Sequence, residues 1–363
     1  MKILMIGMAK VKYMPYLNFY LENIPKENNE IHLVYWNRDL KDEDLSAYTN
    51  ITFHEFRCYQ EDEVSPSSKI FSFIKYKKFV SRVLKSEKFD FVIALHSFPG
   101  VLNANILTKK FKDKYIFDYR DLTYENYGFY KKIINKLAAN SKATFISSGG
   151  FKKNFFKENH SKLINSHNLL SDSLNHRRPP HTRADDEKIR IAYWGLARHT
   201  ALNKKIIDKI AADNRFELHY YGREQKCALD LKEYTKQIGA DNVFFHGEYK
   251  PVDRYEFSKN ADIIHNVFYS TNTMLSMANK YYDGLVFCLP QIATEGAFMA
   301  KCIEDAKVGI SCNPNNDDFL DKIYDYYKSI DLNEFNENCQ KELDRIIAEY
   351  NYGSQFIKDT FSN

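Results

Sequence analysis

The sequence predicts an α/β protein built from two parallel-sheet domains of similar size. Short apolar segments alternate with helix-length intervals in two series, and a polar stretch separates the series. Most of the segments are nearly continuous runs of β-branched and aromatic residues, which is typical of strands buried on both faces of a parallel sheet. The length of 363 residues also fits two domains of ordinary size.

Six segments of the first half are predicted strands. Helical patterns separate several of them, for example at 14–22 and 71–88, and this alternation is typical of βαβ units. The predicted strands are 2–8, 31–36, 51–56, 89–95, 114–119 and 143–147.

A charged segment with Pro179 and Pro180, SDSLNHRRPPHTRADDEK (171–188), has the composition of a linker. After it the strand pattern resumes at 189–195, 216–222, 243–247, 262–268, 290–294 and 308–311. We therefore predict a first domain over 1–172, a linker over 173–188 and a second domain over 189–347. A C-terminal helix at about 348–362 is expected to pack back on the first domain.

Composition argues against several classes of protein. The net charge of +4 is too small to indicate a nucleic-acid binder. The six cysteines are scattered without a Cys-x-x-Cys pair, and no His-Glu-x-x-His occurs, so we expect no metal site and a reducing, cytoplasmic location. The apolar run at the N-terminus is too short for a signal peptide, and no run reaches the roughly 20 apolar residues of a membrane span.

Three segments of the second half resemble family-4 glycosyltransferases with the GT-B fold, as found in bacterial capsule and surface-polysaccharide synthesis. They are IRIAYWGLARHTALNKKIIDKI (189–210), NVFFHGEYK (242–250) and ANKYYDGLVFCLPQIAT (278–294). The resemblance implies two Rossmann-like domains that face a central cleft. It also implies transfer of a sugar, with retention and without a metal, from a nucleotide-diphosphate donor such as a UDP-sugar to a lipid-linked or glycan acceptor. The nucleotide sugar is then a substrate, and no cofactor is expected.

The resemblance places the donor pyrophosphate on Arg198 and Lys204, which follow the first strand of the second domain. Fixed cations at that position would stabilise the negative charge that develops on the leaving nucleotide, so both residues are candidate catalytic groups. The alternative is that both are solvated charges at the start of a helix.

Asn279, Lys280 and Asp283 open a further candidate helix, whose free N–H groups suit a phosphate. The resemblance implies that Asp283 accepts hydrogen bonds from the donor ribose. Leu275 lies where the family often has a first glutamate that faces the transferred sugar, so the sequence does not identify the residue that would contact this sugar. The alternative for Asp283 is an ordinary acidic residue in a first helical turn.

Strand-end residues complete the predicted donor site. Gly195 and Gly222 follow two strands of the second domain, and Tyr249 lies where the family places the donor base. In the first domain, Gly7 ends the first strand, where the family has a glycine-rich loop that contacts acceptor and donor. A surface tyrosine is the alternative for Tyr249.

Arg120 and Asp121 follow a strand of the first domain, where relatives carry a histidine thought to hold the donor sugar. Because arginine does not act as a base, Asp121 or the donor phosphate would accept any proton. The alternative is a structural Arg–Asp pair at the strand end, where Asp118 and Asp121 both lie beside Arg120 in the sequence.

A basic amphipathic segment, 71–89, interleaves apolar side chains with six lysines and arginines. Such a helix can lie on an anionic membrane surface, which would place the protein at the inner face of the plasma membrane beside a lipid-linked acceptor. The alternative is a helix that packs on the core and has a solvated basic face.

Two further functions remain open from the sequence. One is a nucleotide-sugar epimerase or hydrolase of the same fold, which would need acids around the donor sugar. The other is a non-catalytic partner in glycan assembly, because the family histidine and first glutamate are both missing.

Overall fold

The computed structural model describes residues 1–61, 69–169, 171–182 and 187–362. Within them the strands form two parallel sheets, one of seven strands and one of six. Each sheet belongs to one of two compact units. Unit 1 comprises Met1–His167 together with Ala348–Asn363, and unit 2 comprises Asn168–Ile347.

Unit 1 contains a sheet with the strand order β3-β2-β1-β4-β5-β6-β7. Its strands are β1 (Lys2–Ile6), β2 (Glu30–Asn37), β3 (Ile51–Arg57), β4 (Phe91–Leu95), β5 (Tyr115–Tyr119), β6 (Ala143–Ile146) and β7 (Leu163–Asn165). Its helices before β7 are α1 (Leu17–Asn23), α2 (Ile70–Ser86), α3 (Ser97–Leu102), α4 (Ala104–Lys110) and α5 (Gly128–Asn140).

The central strands of unit 1 are covered on both faces, as their continuous apolar pattern predicts. Every residue of β4 and of β5 is buried. Phe19 of α1 packs on Tyr20 and on Phe145 of β6, with ring centroids 5.3 and 5.8 Å apart. The same core contains Phe361, from the end of the chain.

Unit 2 contains a sheet with the strand order β10-β9-β8-β11-β12-β13. Its strands are β8 (Ile189–Trp194), β9 (Phe216–Tyr221), β10 (Val243–Phe245), β11 (Ile263–Asn266), β12 (Gln291–Thr294) and β13 (Gly309–Cys312). The helices that accompany them are α6 (Thr200–Ala211), α7 (Lys226–Gln237), α8 (Arg254–Phe257), α9 (Asn279–Val286), α10 (Phe298–Asp305) and α11 (Phe319–Lys328).

Helix α12 (Leu332–Phe361) ends the chain and contributes to both units. Its first part packs in the core of unit 2 through Phe335 and Leu343, and its last part packs in unit 1 through Ile357. Among the described residues, the structure shows no helix whose length and apolar character would let it cross a membrane.

Each predicted strand segment overlaps an observed strand, and β7 is an addition to the prediction. The segment predicted as a linker, 173–188, belongs to unit 2. Arg177 donates to the carbonyl of Leu285 at 3.1 Å, and Arg178 donates to Ser258 Oγ at 3.2 Å. Residues 183–186 of that segment lie outside the described residues.

Candidate functional site

The carboxyl edge of the unit 2 sheet has the topology of a ligand site. The chain proceeds outward from β8 to β10 on one side of the sheet and from β11 to β13 on the other. The loops after β8 and β11 therefore diverge, and a crevice at such a point is where open parallel sheets bind ligands. The corresponding point in unit 1 lies between β1 and β4.

Glycines follow β8 and β9 because the two loops approach each other closely. Gly195 has φ +116° and donates to the carbonyl of Tyr221 at 2.9 Å, and Gly222 donates to the carbonyl of Gly247 at 2.8 Å. A β-carbon on Gly222 would lie 2.1 Å from the carbonyl oxygen of Gly195. Only glycine fits at position 222 without a backbone shift.

A small pocket, partly open to solvent, lies at these loops, and its lining includes Tyr193, Gly195, Tyr221, Gly222 and Arg223. Backbone and aromatic surface therefore dominate this part of the edge. Such a lining suits a planar, partly polar ligand.

Lys280 is a buried cation at the divergence of the two loops. It lies in the first turn of α9, after the extended Ala278, whose side chain makes no cap hydrogen bond. Its Nζ donates to the carbonyl of Trp194 at 3.1 Å and lies 4.0 Å from the ring centroid of Tyr193. The side chain is 7% exposed. Burial lowers the pKa of Lys280 to about 7, against the raising effect of Asp283.

Arg198 is a second cation within electrostatic range of Lys280. It lies in the loop after Gly195, is exposed, and makes no ion pair or side-chain hydrogen bond with the described residues. Its charge contributes to the lowered pKa of Lys280, because two nearby cations disfavour each other. The loop is held by Asn203, which donates to the carbonyl of Arg198 at 2.6 Å. The two positive charges therefore share the same end of β8.

Lys204, the predicted partner of Arg198, has a different neighbour in the structure. Its Nζ lies 4.3 Å from the ring centroid of Tyr234 on α7. In the structure it is Lys280 that contacts the end of β8, through the carbonyl of Trp194. A contact between Lys204 and a ligand stays a prediction.

Asp283 is held by two partners in the interior of unit 2. Its Oδ2 accepts from Trp194 Nε1 at 2.8 Å, and its Oδ1 lies 3.4 Å from Arg254 Nε, within ion-pair range but outside hydrogen-bond geometry. Burial raises the pKa of Asp283, whereas the Arg254 guanidinium lowers it. Asn279, at the start of the same helix, is exposed.

Aromatic side chains form a wall beside Asp283. Tyr221 stacks on Phe257 with centroids 4.1 Å apart and planes at 8°, and Tyr249 meets Phe257 edge-on at 5.1 Å. Burial, and then the charge of Asp283, raises the pKa of Tyr249. Sequence reasoning missed Phe257 and Arg254, because they come from a short helix that carries no motif.

In unit 1, the predicted residue Gly7 lies in a loop that neighbouring elements hold in place. Its carbonyl accepts from Tyr76 of α2 at 2.6 Å, and its N–H donates to the carbonyl of Val34 at 2.9 Å. The Lys10 ammonium, three residues on, pairs with Asp39 and donates to the carbonyl of Lys41 at 2.7 Å. The internal contacts of this loop therefore occupy Lys10.

Arg120 is buried in an ion pair with Asp118. Its Nε donates to the two carboxylate oxygens of Asp118 at 2.9 and 3.0 Å, and its Nη2 donates to Ser166 Oγ at 3.0 Å. The guanidinium carbon lies 4.7 Å from the ring centroid of Tyr16. This geometry is the structural ion pair considered as the alternative for Arg120.

Asp121 is half exposed at the carboxyl edge of the unit 1 sheet. Its Oδ2 lies 3.3 Å from Nε2 of His96, the residue that follows β4. The backbone of His96 has φ +82° and ψ 156°, a conformation that costs a non-glycine residue on the order of 1–3 kcal/mol. The strained backbone of His96 and its contact with Asp121 distinguish these two residues at this edge.

Comparisons with known proteins agree on the fold. No protein-family model and no curated protein matches the sequence. Sucrose-phosphate synthase from Thermosynechococcus elongatus matches the structure with a TM-score of 0.75 and 10% identity, over 99% of each chain. Anabaena HepE, solved with UDP and glucose, gives a TM-score of 0.67 and 12% identity over 100% of each chain.

The lipopolysaccharide outer core galactosyltransferase WaaB also matches, with a TM-score of 0.66 and 14% identity over 99% of this chain and 100% of that one. Likeness at such identities shows the fold alone. The predicted fold class, two parallel α/β sheets of the GT-B type, is confirmed. The cleft predicted between the domains stays a prediction.

Proposed function

We propose that this chain is a glycosyltransferase that binds a nucleoside-diphosphate sugar at the carboxyl edge of unit 2. The observation that carries the proposal is the pair of cations at the end of β8, with the buried Lys280 on the carbonyl of Trp194 and the exposed Arg198 in the loop that follows. Burying an ammonium costs free energy unless an anion compensates it. A diphosphate would supply that anion, at the point where the sheet topology favours a ligand.

The rest of the edge supports the same ligand. Tyr249, half-buried and edge-on to Phe257, offers a ring on which a base can stack, and Asp283 lies near it with a carboxylate for ribose hydroxyls. HepE, which shares the fold, was solved with UDP and with UDP-glucose, so uridine is the first base to test.

The cations would also contribute to the chemistry. As the glycosidic bond breaks, negative charge grows on the leaving diphosphate, and fixed positive charges stabilise that state more than the bound donor. We further propose that the transfer retains the anomeric configuration, needs no metal, and uses a lipid-linked or oligosaccharide acceptor. We also place the protein at the inner face of the plasma membrane, where such an acceptor is available.

Binding of nucleoside diphosphates tests the proposal directly. Calorimetry with UDP, GDP and ADP should show one site per chain, and Arg198→Ala and Lys280→Met should each weaken binding about ten- to a hundredfold. Lys205→Ala is the matched control, because it removes an exposed charge on α6 that contacts Asn315 instead. Lys204→Ala tests the predicted pairing, and wild-type affinity there would remove Lys204 from the site.

Two outcomes would contradict the proposal. Failure of the wild-type chain to bind any nucleoside diphosphate removes the site. Wild-type affinity in both Arg198→Ala and Lys280→Met removes the cation pair from it.

A non-catalytic nucleotide-sugar binder is a second candidate, favoured by the engagement of Arg120 with Asp118. A product assay separates the alternatives. A transferase releases nucleotide only with an acceptor, a hydrolase releases it without one, and a binder releases none.

A further inference from the structure

Two histidines meet on the unit 1 sheet, away from the carboxyl edge. His32, the third residue of β2, is 2% exposed, and its Nδ1 lies 2.8 Å from Nε2 of His54 on β3. Glu87, which follows α2, also reaches this place. One ligand atom from each of His32, His54 and Glu87 lies within 4.8 Å of the other two.

A fourth side chain contacts the other ring nitrogen of His32. Glu30 Oε1 lies 2.7 Å from His32 Nε2. Because an ionised carboxylate only accepts hydrogen bonds, the ring carries its proton on Nε2 and presents the lone pair of Nδ1 to His54. A carboxylate that orients a histidine in this way is typical of metal sites, where it fixes the ring and raises its basicity.

We propose that His32 Nδ1, His54 Nε2 and a Glu87 oxygen bind one divalent transition-metal ion, and that the ion is Zn²⁺. Two imidazole nitrogens and one carboxylate are a donor set that zinc accepts, with a fourth position left for water. The proton between the two rings moves to Nδ1 of His54 when the metal binds, so both facing nitrogens become ligands. Glu30 remains the hydrogen-bond acceptor of His32.

The Lys2 ammonium pairs with the carboxylates of both Glu30 and Glu87. Its Nζ lies 3.0 Å from Glu30 Oε1 and also contacts Glu87. A metal on Glu87 competes with this ammonium, so zinc affinity depends on how readily Lys2 turns toward Glu30 alone. The site thus joins β2, β3 and the end of α2.

Unit 2 repeats the arrangement without the third ligand. Four residues of unit 2 correspond in order to Lys2, Glu30, His32 and His54: Arg190, Glu217, His219 and His246. In both units the basic residue of the first strand lies in register with the glutamate of the neighbouring strand. The facing nitrogens of His219 and His246 are 3.0 Å apart, and their rings stack at 5.3 Å against 5.1 Å in unit 1. Within the described residues, only the unit 1 pair has an acid that completes a set of three.

This repeat provides the control for the experiment. The full-length chain is stripped with a chelator and titrated with Zn²⁺ in competition with a chromophoric chelator. We expect one zinc per chain. His54→Ala and Glu87→Gln should weaken binding at least tenfold, whereas His246→Ala should leave it unchanged. Co²⁺ should give a visible absorption band of tetrahedral type in the wild type, and His54→Ala should abolish the band.

Three results would overturn the site. They are no zinc bound by the wild type, wild-type affinity in His54→Ala, or an equal loss in His246→Ala. Circular dichroism of each variant checks folding, and Glu87→Gln keeps the test valid if His54→Ala does not fold. Zinc affinity is read without donor or acceptor, so its failure leaves the proposed transferase untouched, and the reverse also holds.

Discussion

Lys280 shows how a single buried charge can prepare a site for a ligand. Its pKa of about 7 lies well below the ordinary value of 10.5, because the surroundings in unit 2 desolvate the ammonium and Arg198 repels it. Between these two values the unfolded chain holds a proton that the folded chain lacks. Folding stability therefore rises with pH across that window, and below pH 7 the cost of the buried charge is present in full.

Binding of a diphosphate should couple to protonation of Lys280. The anion favours the charged ammonium, so UDP binding at pH 8 should take up a proton, and its affinity should fall by up to about tenfold per pH unit above 7. Calorimetry in buffers of different ionisation enthalpy measures the uptake. Lys280→Met should show a flat pH profile, and an equally steep profile in that variant would assign the titration to another group.

The close approach of two loops makes Gly222 a sensitive position. Gly222→Ala should destabilise unit 2 by about 1–3 kcal/mol, because the new methyl group meets the carbonyl of Gly195. Denaturant unfolding in a Trp36→Phe background measures this, since Trp194 then reports on unit 2. The Trp36→Phe parent, which keeps Gly222, is the reference. Equal midpoints for the two variants would contradict the steric argument.

At the scale of elements, the structure shows one face of α2 buried in the core, and a membrane contact by the remaining surface stays a prediction. Tyr76, Val80, Val83 and Leu84 are buried, so one face packs on the sheet. The opposite side carries exposed lysines, and at its start Ile70, Phe71 and Ile74 are 51%, 77% and 46% exposed. A packed helix with an exposed apolar start and a basic face has the features of a peripheral membrane contact.

We predict that α2 attaches the protein to anionic vesicles at low salt. Replacing Lys75, Lys77 and Lys78 by Glu should release the chain without lowering its thermal midpoint, because all three side chains are exposed. The same change at Lys109, Lys110 and Lys112 is the control, since it alters the net charge equally. Co-sedimentation measures the vesicle-bound fraction of both variants. Equal release of the two would mean that net charge alone, and not α2, determines attachment.

The strands were predictable because burial on both faces produces unbroken apolar runs such as those of β4 and β5. The strand β7 was not, because its two apolar residues lie in a polar stretch, KENHSKLINSHN (157–168), whereas the equally short β10 lies in the run VFFHG. At the site, Lys280 and Asp283 were found through one contiguous segment. Trp194 and Arg254 were not assigned roles there, because their contacts with Asp283 join parts of the chain far apart in sequence.

At the scale of the molecule, the two units follow one plan. In each unit the first strand lies at the point where the order of the strands in the sheet reverses, and the loops at that point carry distinctive residues. The shared arrangement of His32 with His54 and of His219 with His246 extends the correspondence to side chains. Solved structures share this plan at 10–14% identity, so the burial pattern rather than particular side chains specifies the fold.

The discontinuity of unit 1 has a consequence for biosynthesis. Its core needs Ile357 and Phe361, whose ring lies 4.9 Å from that of Phe91, but the ribosome must first make the 180 residues from 168 to 347. At roughly 5–20 residues per second this takes about 9–36 s, during which the apolar surface that α12 will cover is open to chaperones. Unit 2 is contiguous and is fully synthesised before that. The unit whose synthesis begins first is therefore the last to complete its core.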